Sequence, residues 1–585
     1  MSADETTLTV DAAAPSAWRR SRLGAFLGQP VSWVFLIVGG IIAFLSLYPT
    51  FFLFYGSLTD APLGLPGHFT FQNYVRAYSD PEAYPLLLNS FIFGFGASGL
   101  SLVFALALAW ITIRTNAPFR RLFELTAIIP NILPPILVSI SWVMLLNPSN
   151  GLINGLFVKF FGLEKGPFNI YSMAGLIFVE ALILTPLAFL VIAAAMKSMD
   201  PSLEESAKTL GSNEFGVMGR ITFPLLRPAI LAAGTLNFVR AVESFDTPAI
   251  IALPARIEVF TTKIWREALG SFPTNHNLAA AYGVGILGIA LIFVYLYRRF
   301  TSQVENFSTV TGKGFRPHQI DLGRWRFAAS GVAILLLVML VVLPILVLIL
   351  VAILPYYHVP TWQTWHNLTL DHFRYVWATP RVHRAFMNSL FLALVGATAC
   401  MILASLASYI TVRTKIAGRG IIEGLVFIPW AFPGTAMALG LLWAYVDFPI
   451  PVYATIWIIL IAYVTRFLPY GLRAVSSTII QVHKELEEAS IVCGAGFIAT
   501  FRRVLLPMMR PGVMAGWIIL VTIFMREFSA TLFLYSPGSE PLGPLLYFLY
   551  LDGMRGRVAA IGLVISLISV ILIAIAQHYS RWDMK

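Results

Sequence analysis

Charge is what this sequence has least of. Only 12% of its 585 residues are Asp, Glu, Lys or Arg, about half the usual share in a soluble domain, too few to clothe several soluble folds in polar surface. Cysteine is rarer still. Cys400 and Cys493 are the whole complement, one in an apolar run and one in a polar loop, which excludes a disulfide framework. No Gly-x-x-x-x-Gly-Lys-Ser/Thr run is present to cradle a nucleotide's phosphates, so ATP chemistry, if any, belongs to another chain. His276, His366, His372 and His383 lie in or beside predicted loops without paired ligand spacing, and no metal site is read from them.

Long apolar runs are what the chain has instead. Apolar residues make up 58% and the mean hydropathy is +0.78, the mark of a polytopic, all-α membrane protein. About twelve spans are predicted, near 31–56, 88–113, 122–146, 172–197, 228–252 and 277–298, then 328–354, 388–412, 421–446, 452–475, 511–535 and 557–578. Basic residues set the orientation, because short loops rich in Lys and Arg stay cytoplasmic. Arg19, Arg20, Arg22, Arg114, Arg120, Arg121, Arg298, Arg299, Arg413, Lys415 and Arg419 then fall on one side, with both termini cytoplasmic. Arg256, Lys263 and Arg266 are an exception on the outer side. The net charge of +11 sits beside spans rather than in a basic domain, so the partners implied are membrane lipids and not nucleic acid. Residues 1–30 read as a disordered cytoplasmic tail rather than a cleaved signal, and 301–327 as a cytoplasmic linker between the halves 31–300 and 328–585.

The two halves repeat one another. Asn89, Ser90, Ile111, Thr112, Arg114, Thr115, Glu124, Pro130 and Pro134 recur 299 positions later, whereas Glu205, Gly211, Pro224, Arg227 and Pro228 recur at an offset of 283. The shift falls across 147–168, where the first half has a longer outer loop. With about six spans each, the copies share an orientation and are related by an axis along the membrane normal, so a pathway is expected between them.

The most polar repeated segments, near 198–228 and 477–511, lie on the predicted cytoplasmic side. Leu203, Ala207 and Leu210 fall on one helical stripe with Glu204, Glu205 and Lys208 off it, which predicts a short amphipathic helix, N-capped by Ser202 and left at Gly211. The second copy repeats this from His483 to Gly494. Such a helix could rest on lipid headgroups or dock into another protein, and its symmetric duplication favours a paired partner.

These residues resemble a known signature. Glu205-Ser206-Ala207-x-x-x-Gly211, followed by nine residues and Ile-x-Phe-Pro, and Glu488-Ala489-Ser490-x-x-x-Gly494, followed by nine and Val-x-Leu-Pro, are similar to the EAA loop of binding-protein-dependent permeases of type I ABC importers. The resemblance runs from about residue 31 onward, in the layout of fused permeases. The stretch 243–265 is similar to ferric iron permeases, and thiamine permeases share the fused layout. The resemblance implies two copies of a cytoplasmic ABC ATPase that bind ATP and Mg, docked through Glu205, Ala207, Gly211, Glu488, Ala489 and Gly494. It also implies a periplasmic or lipid-anchored solute-binding protein and an inner-membrane location. No catalytic residue and no cofactor are implied for the chain itself. Ferric iron leads as cargo, with thiamine, polyamine and phosphonate as alternatives.

Ionisable residues inside spans are costly and tend to face a bundle interior or a pathway. Glu243, Asp246, Arg526 and Glu527 are the pathway or gate candidates, with Arg526 at the position equivalent to Glu243. Local pairing is the competing account, and Glu180 and Arg466 read as structural. Two rival classes remain: an ion-gradient-driven secondary transporter, which has no need of paired docking loops, and a non-transporting scaffold, which has no need of equivalent mid-span charges.

Overall fold

The computed structural model describes residues 30–126, 133–305 and 320–582; the predicted tail and most of the linker lie outside them. Among the described residues the regular structure is helical, with two isolated β-bridges, Thr59 to Phe69 and Thr115 to Ile320. Ten helices among the described residues are long and apolar enough to cross a bilayer. The pair Arg419–Ala431 and Gly434–Tyr445 is apolar enough to make an eleventh but is bent by 107° at Pro433, as in a broken span or a re-entrant loop. Its first-half counterpart, predicted at 122–146, consists of Arg120–Thr126 and Pro135–Leu146 with 127–132 undescribed between them.

The elements needed below are α1 (Pro30–Ser57), α2 (Ala83–Arg114), α3 (Pro135–Leu146), α4 (Met173–Ser198), α5 (Pro201–Thr209), α6 (Met218–Glu243) and α7 (His276–Glu305). The second half supplies α8 (Trp325–Ile353), α9 (Pro380–Arg413), α10 (Gly434–Tyr445), α11 (Ile456–Gln481), α12 (Glu485–Val492), α13 (Phe501–Arg526) and α14 (Arg555–Trp582).

In α6 and α13 the structure corrects the sequence reading. The spans predicted at 228–252 and 511–535 begin and end about ten residues earlier, at Met218–Glu243 and Phe501–Arg526. Pro228 and Pro511 are inside the helices rather than at their starts. Each helix stops where the backbone turns extended, at Ser244 (ψ 133°) and the equivalent Glu527 (ψ 130°). Side chains then satisfy the freed backbone groups: Thr261 donates to the Ser244 carbonyl, and the Glu527 carboxylate accepts from the Ala530 and Thr531 N–H groups.

The halves interlock. Within each, the second span packs on the fourth, α2 on α4 and α9 on α11. The first helix of each half instead lies on the third element of the other, α1 on α10 and α8 on α3. Glycine permits the close approach: a Cβ on Gly440 would stand 2.5 Å from the Pro49 carbonyl oxygen, and one on Gly56 would stand 2.5 Å from Trp443 Nε1. Reciprocally, the Tyr357 hydroxyl beyond α8 donates to the Met144 carbonyl of α3 at 2.6 Å.

Candidate functional site

The repeated polar segments form two surface helices that end alike but start differently, since α12 follows Lys484 with no side-chain cap. In α5 the N-cap is Asp200, whose carboxylate accepts from Ser202 N–H at 2.9 Å, so Asp200 takes the role expected of Ser202. Pro201 then occupies the first helical position, where a missing N–H costs nothing. Both helices end in the same left-handed turn. Gly211 (φ +86°) and Gly494 (φ +84°) take a conformation that a side chain resists. The N–H groups of Ser212 and Ala495 reach back to Ala207 and Ser490, while those of Gly211 and Gly494 reach Lys208 and Ile491.

Which face these helices bury differs from the predicted stripe. Leu203 is 48% and Leu210 87% exposed, whereas Glu204 is 6% exposed. The reason is a cation distant in sequence: Arg114, at the end of α2, pairs with Glu204 at 2.8 Å, and Thr222 donates to the other carboxylate oxygen at 2.9 Å. The second copy repeats the clamp with Arg413 and Glu487 at 2.9 Å, a charge pair whose N–H is not aimed at the oxygen. Each arginine also ties in the helix before the loop, Arg114 through Met199 Sδ and Arg413 through the carbonyls of Ile479 and Val482. Burial raises Glu487 above the usual carboxylate value, against the lowering pull of Arg413. The helices are thus held from beneath by charge, and their outward faces carry Glu205, Leu203 and Leu210, or Glu488, Leu486, Ile491 and Val492, all exposed. Ala207 is half-buried and Ala489 exposed.

Between the halves, residues at equivalent positions touch each other, which only groups on the pseudo-twofold axis can do. Phe245 stacks on its equivalent Phe528 with ring centroids 5.7 Å apart and planes 17° from parallel. Asp246 accepts from its equivalent, Ser529, at 2.9 Å. Both rings are almost wholly buried, so the seam is closed at this level. Polar side chains flank it. Glu527 takes Arg466 at 3.1 Å and the Thr531 hydroxyl at 2.7 Å, while Glu180 accepts from Ser244 at 3.1 Å. Arg240 donates to Tyr470 across the seam, with its guanidinium 5.6 Å from the Trp430 ring centre. Glu243 is buried within the influence of Arg240 and Arg466. The sequence reading located this cluster but missed the aromatic pair at its centre. Phe245 and Phe528 stand in the same offset as Glu243 and Arg526, and that offset was the available signal.

The opposite end of α2 carries a second charge cluster. Lys263 is only 5% exposed and is ringed by Glu82 at 3.0 Å, Glu267 at 3.4 Å and Glu258 at 3.7 Å, and Arg266 bonds Glu258 and Glu82. Burial works against the Lys263 charge, but its bond to Glu82 and the neighbouring carboxylates outweigh burial and hold the ammonium above its ordinary value. The same bond holds Glu82 below the usual carboxylate range. Two of the three cations that depart from the positive-inside count, Lys263 and Arg266, are thus paired with carboxylates, whereas Arg256 is exposed. Among the described residues no group of three or more His, Cys, Asp or Glu is arranged to hold a metal ion.

Residues 101–306 and 400–582 each match the family described as binding-protein-dependent transport system inner membrane component. The chain belongs to that family. Its two matched segments are the two halves of an internally duplicated ABC importer permease. Among similar proteins, the "Ferric transport system permease protein FbpB" of Actinobacillus pleuropneumoniae is 27% identical over 548 residues, 92% of this permease and 76% of that protein. The "Putative ferric transport system permease protein FbpB 1" of Haemophilus influenzae is 27% identical over 503 residues, 84% and 76% of the two chains. The "Spermidine/putrescine transport system permease protein PotC" of Escherichia coli is 24% identical over 221 residues, 38% of this permease and 83% of PotC. The permease is therefore a multi-pass transport subunit rather than an enzyme.

Proposed function

We propose that this permease forms the transmembrane pathway of an importer for ferric iron, delivered by a periplasmic or lipid-anchored solute-binding protein and driven by two copies of a cytoplasmic ATPase. The observation that carries the reading is the pair of surface helices, clamped from below by Arg114–Glu204 and Arg413–Glu487 and left with carboxylates and apolar side chains outward. Exposed apolar side chains around a fixed carboxylate suit a groove on a soluble partner. Glu205, Ala207 and Gly211, with Glu488, Ala489 and Gly494, are the docking residues in this reading. Ferric iron as cargo rests on the two FbpB relatives, and the match to PotC keeps a polyamine as the second reading.

ATP-driven closure of the paired ATPases would draw α5 and α12 together. The clamps would pass that motion to α2, α4, α9 and α11, and the closed Phe245–Phe528 seam would then part. No covalent step occurs in this chain; transport is a shift between two packings, each favoured by a different set of contacts. Glu243, Asp246, Arg526 and Glu527 line the route next to the seam.

The test is ATP hydrolysis by the copurified complex in liposomes, with ferric-loaded, thiamine-loaded or polyamine-loaded binding protein added. Ferric-loaded protein should stimulate hydrolysis, and Glu205→Ala/Glu488→Ala should lose the ATPase on purification. A double variant that retains full coupling sinks the docking assignment. Stimulation by the polyamine-loaded protein alone would replace iron as cargo.

A further inference from the structure

On the face opposite α5 and α12 the two halves carry different charges. Shared hydrogen bonds align them there. Ser90 accepts from Phe260 N–H at 3.0 Å as Ser389 does from Leu542 N–H at 2.9 Å, and the Asn89 and Asn388 amides donate to the Glu258 and Glu540 carbonyls. By this register Glu258 corresponds to Glu540, Arg256 to Gly538, and Glu82 to Arg381. In the second half, Arg381 closes on Glu540 with two bonds at 2.9 and 2.7 Å. In the first, Glu82 faces Glu258 as a like charge, and Lys263 and Arg266 intervene. The result is an open cavity of about 450 Å³, lined by Glu82, Asn89, Arg256, Glu258, Arg266 and apolar side chains.

Arg256 stands on this cavity in a backbone conformation that favours glycine. Its φ is +56°, where the second half has Gly538 at +95°. A side chain held in the left-handed region at a loop tip is retained against a backbone penalty, and such positions concentrate where a side chain is used. The charges around it identify its use. Glu82, Glu258 and Glu267 are engaged by Lys263 and Arg266, whereas Arg256 is exposed and pairs with no carboxylate within salt-bridge distance among the described residues.

We infer that the Arg256 cavity is a carboxylate socket, in which an Asp or Glu side chain of the solute-binding protein seats against the Arg256 guanidinium. It rests on the proposed importer function and adds to it a one-sided anchor: the first half holds its partner by a charge-assisted pair, and the sealed Arg381–Glu540 seam offers no equivalent. A guanidinium presents a planar fork that matches a carboxylate, and the apolar wall supplied by Pro85, Leu86, Leu253 and Ile257 limits water around the pair.

The test uses the permease–ATPase complex in nanodiscs and the binding protein whose loaded form stimulates its ATP hydrolysis. The dissociation constant is measured between 50 and about 500 mM salt, a range that strongly changes screening of an exposed pair. Arg256→Gly suits the left-handed backbone, so it removes the charge without strain. It should weaken binding by about tenfold and flatten the salt dependence. Arg256→Glu should weaken it further, and one Asp→Arg or Glu→Arg variant of the binding protein should restore that loss. Wild-type affinity and salt dependence in Arg256→Gly would overturn the socket while leaving the importer function standing. Failure of every binding protein to stimulate the wild-type complex would overturn both.

Discussion

At the scale of single residues, the two arginine clamps differ in a measurable way. Arg114 and Glu204 have side chains 2% and 8% exposed, and the carboxylate has a second partner in Thr222. Removing one member leaves a buried charge alone, which costs about 3–5 kcal/mol. Arg114→Met and Glu204→Gln should each lower the thermal unfolding midpoint of the permease in nanodiscs markedly, and Arg114→Met/Glu204→Leu should lose less than the worse single change. The exposed pair Lys197–Glu124, 3.4 Å apart with side chains 56% and 44% exposed, is the internal control, worth about 0–1 kcal/mol. If the buried singles prove no worse than Lys197→Ala, the clamp is not holding α5. The clamp was half legible in the sequence. Arg114 and Arg413 recur at one offset, Glu204 and Glu487 at the other, but a hydrophobic-stripe reading turns α5 over and places Glu204 outward. A stripe assumes that apolar side chains choose the buried face, and here an arginine ninety positions away chooses it.

At the scale of elements, the closed seam depends on where α6 and α13 stop. Hydropathy extends both spans through Pro248 and Thr531, because the residues beyond Ser244 and Glu527 remain apolar and a windowed average does not register a backbone turn. Ending the helices early swings Phe245 and Phe528 onto the axis, where they stack. The bend of 107° before α10 escapes the sequence for the same reason, although Pro429 and Pro433 mark its place. The duplication, the class of fold and the left-handed glycines were all legible, since each follows from spacing or from a single residue's φ preference. If the stacked rings close the route, Phe245→Ala/Phe528→Ala should make liposomes leaky to small ions without ATP or binding protein. Either single change should leak less, because the remaining ring still occupies the axis. The readout is dye-reported ion flux, and double-variant liposomes as tight as wild type would place the barrier elsewhere.

At the scale of the whole molecule, α2 joins the two charge clusters. It runs from Ala83, next to the Glu82–Lys263 cluster, to Arg114 in the α5 clamp, about 48 Å at the usual helical rise. In the proposed importer, a binding protein seated at one end and an ATPase seated at the other would act on this one helix, which would give the two events a common lever. The exchange of first helices adds a second constraint. Because α1 lies on α10 and α8 on α3, neither half can move as an isolated body; each carries a helix belonging to the other. A half made alone would leave α1 without α10, or α8 without α3, and would expose Gly56 and Gly440 surfaces shaped for close contact. Residues 1–305 expressed alone should accumulate poorly and be digested quickly by protease. Co-expression with 320–585 should restore a protease-resistant pair in which a tag on one fragment recovers both. A first half that is stable and monodisperse by itself would show that the exchange merely decorates two independent bundles. The expected mutual dependence would explain why fusing two homologous halves is favourable: a covalent linker sets the effective concentration of each half near the other, so the crossed helices find their places within one chain.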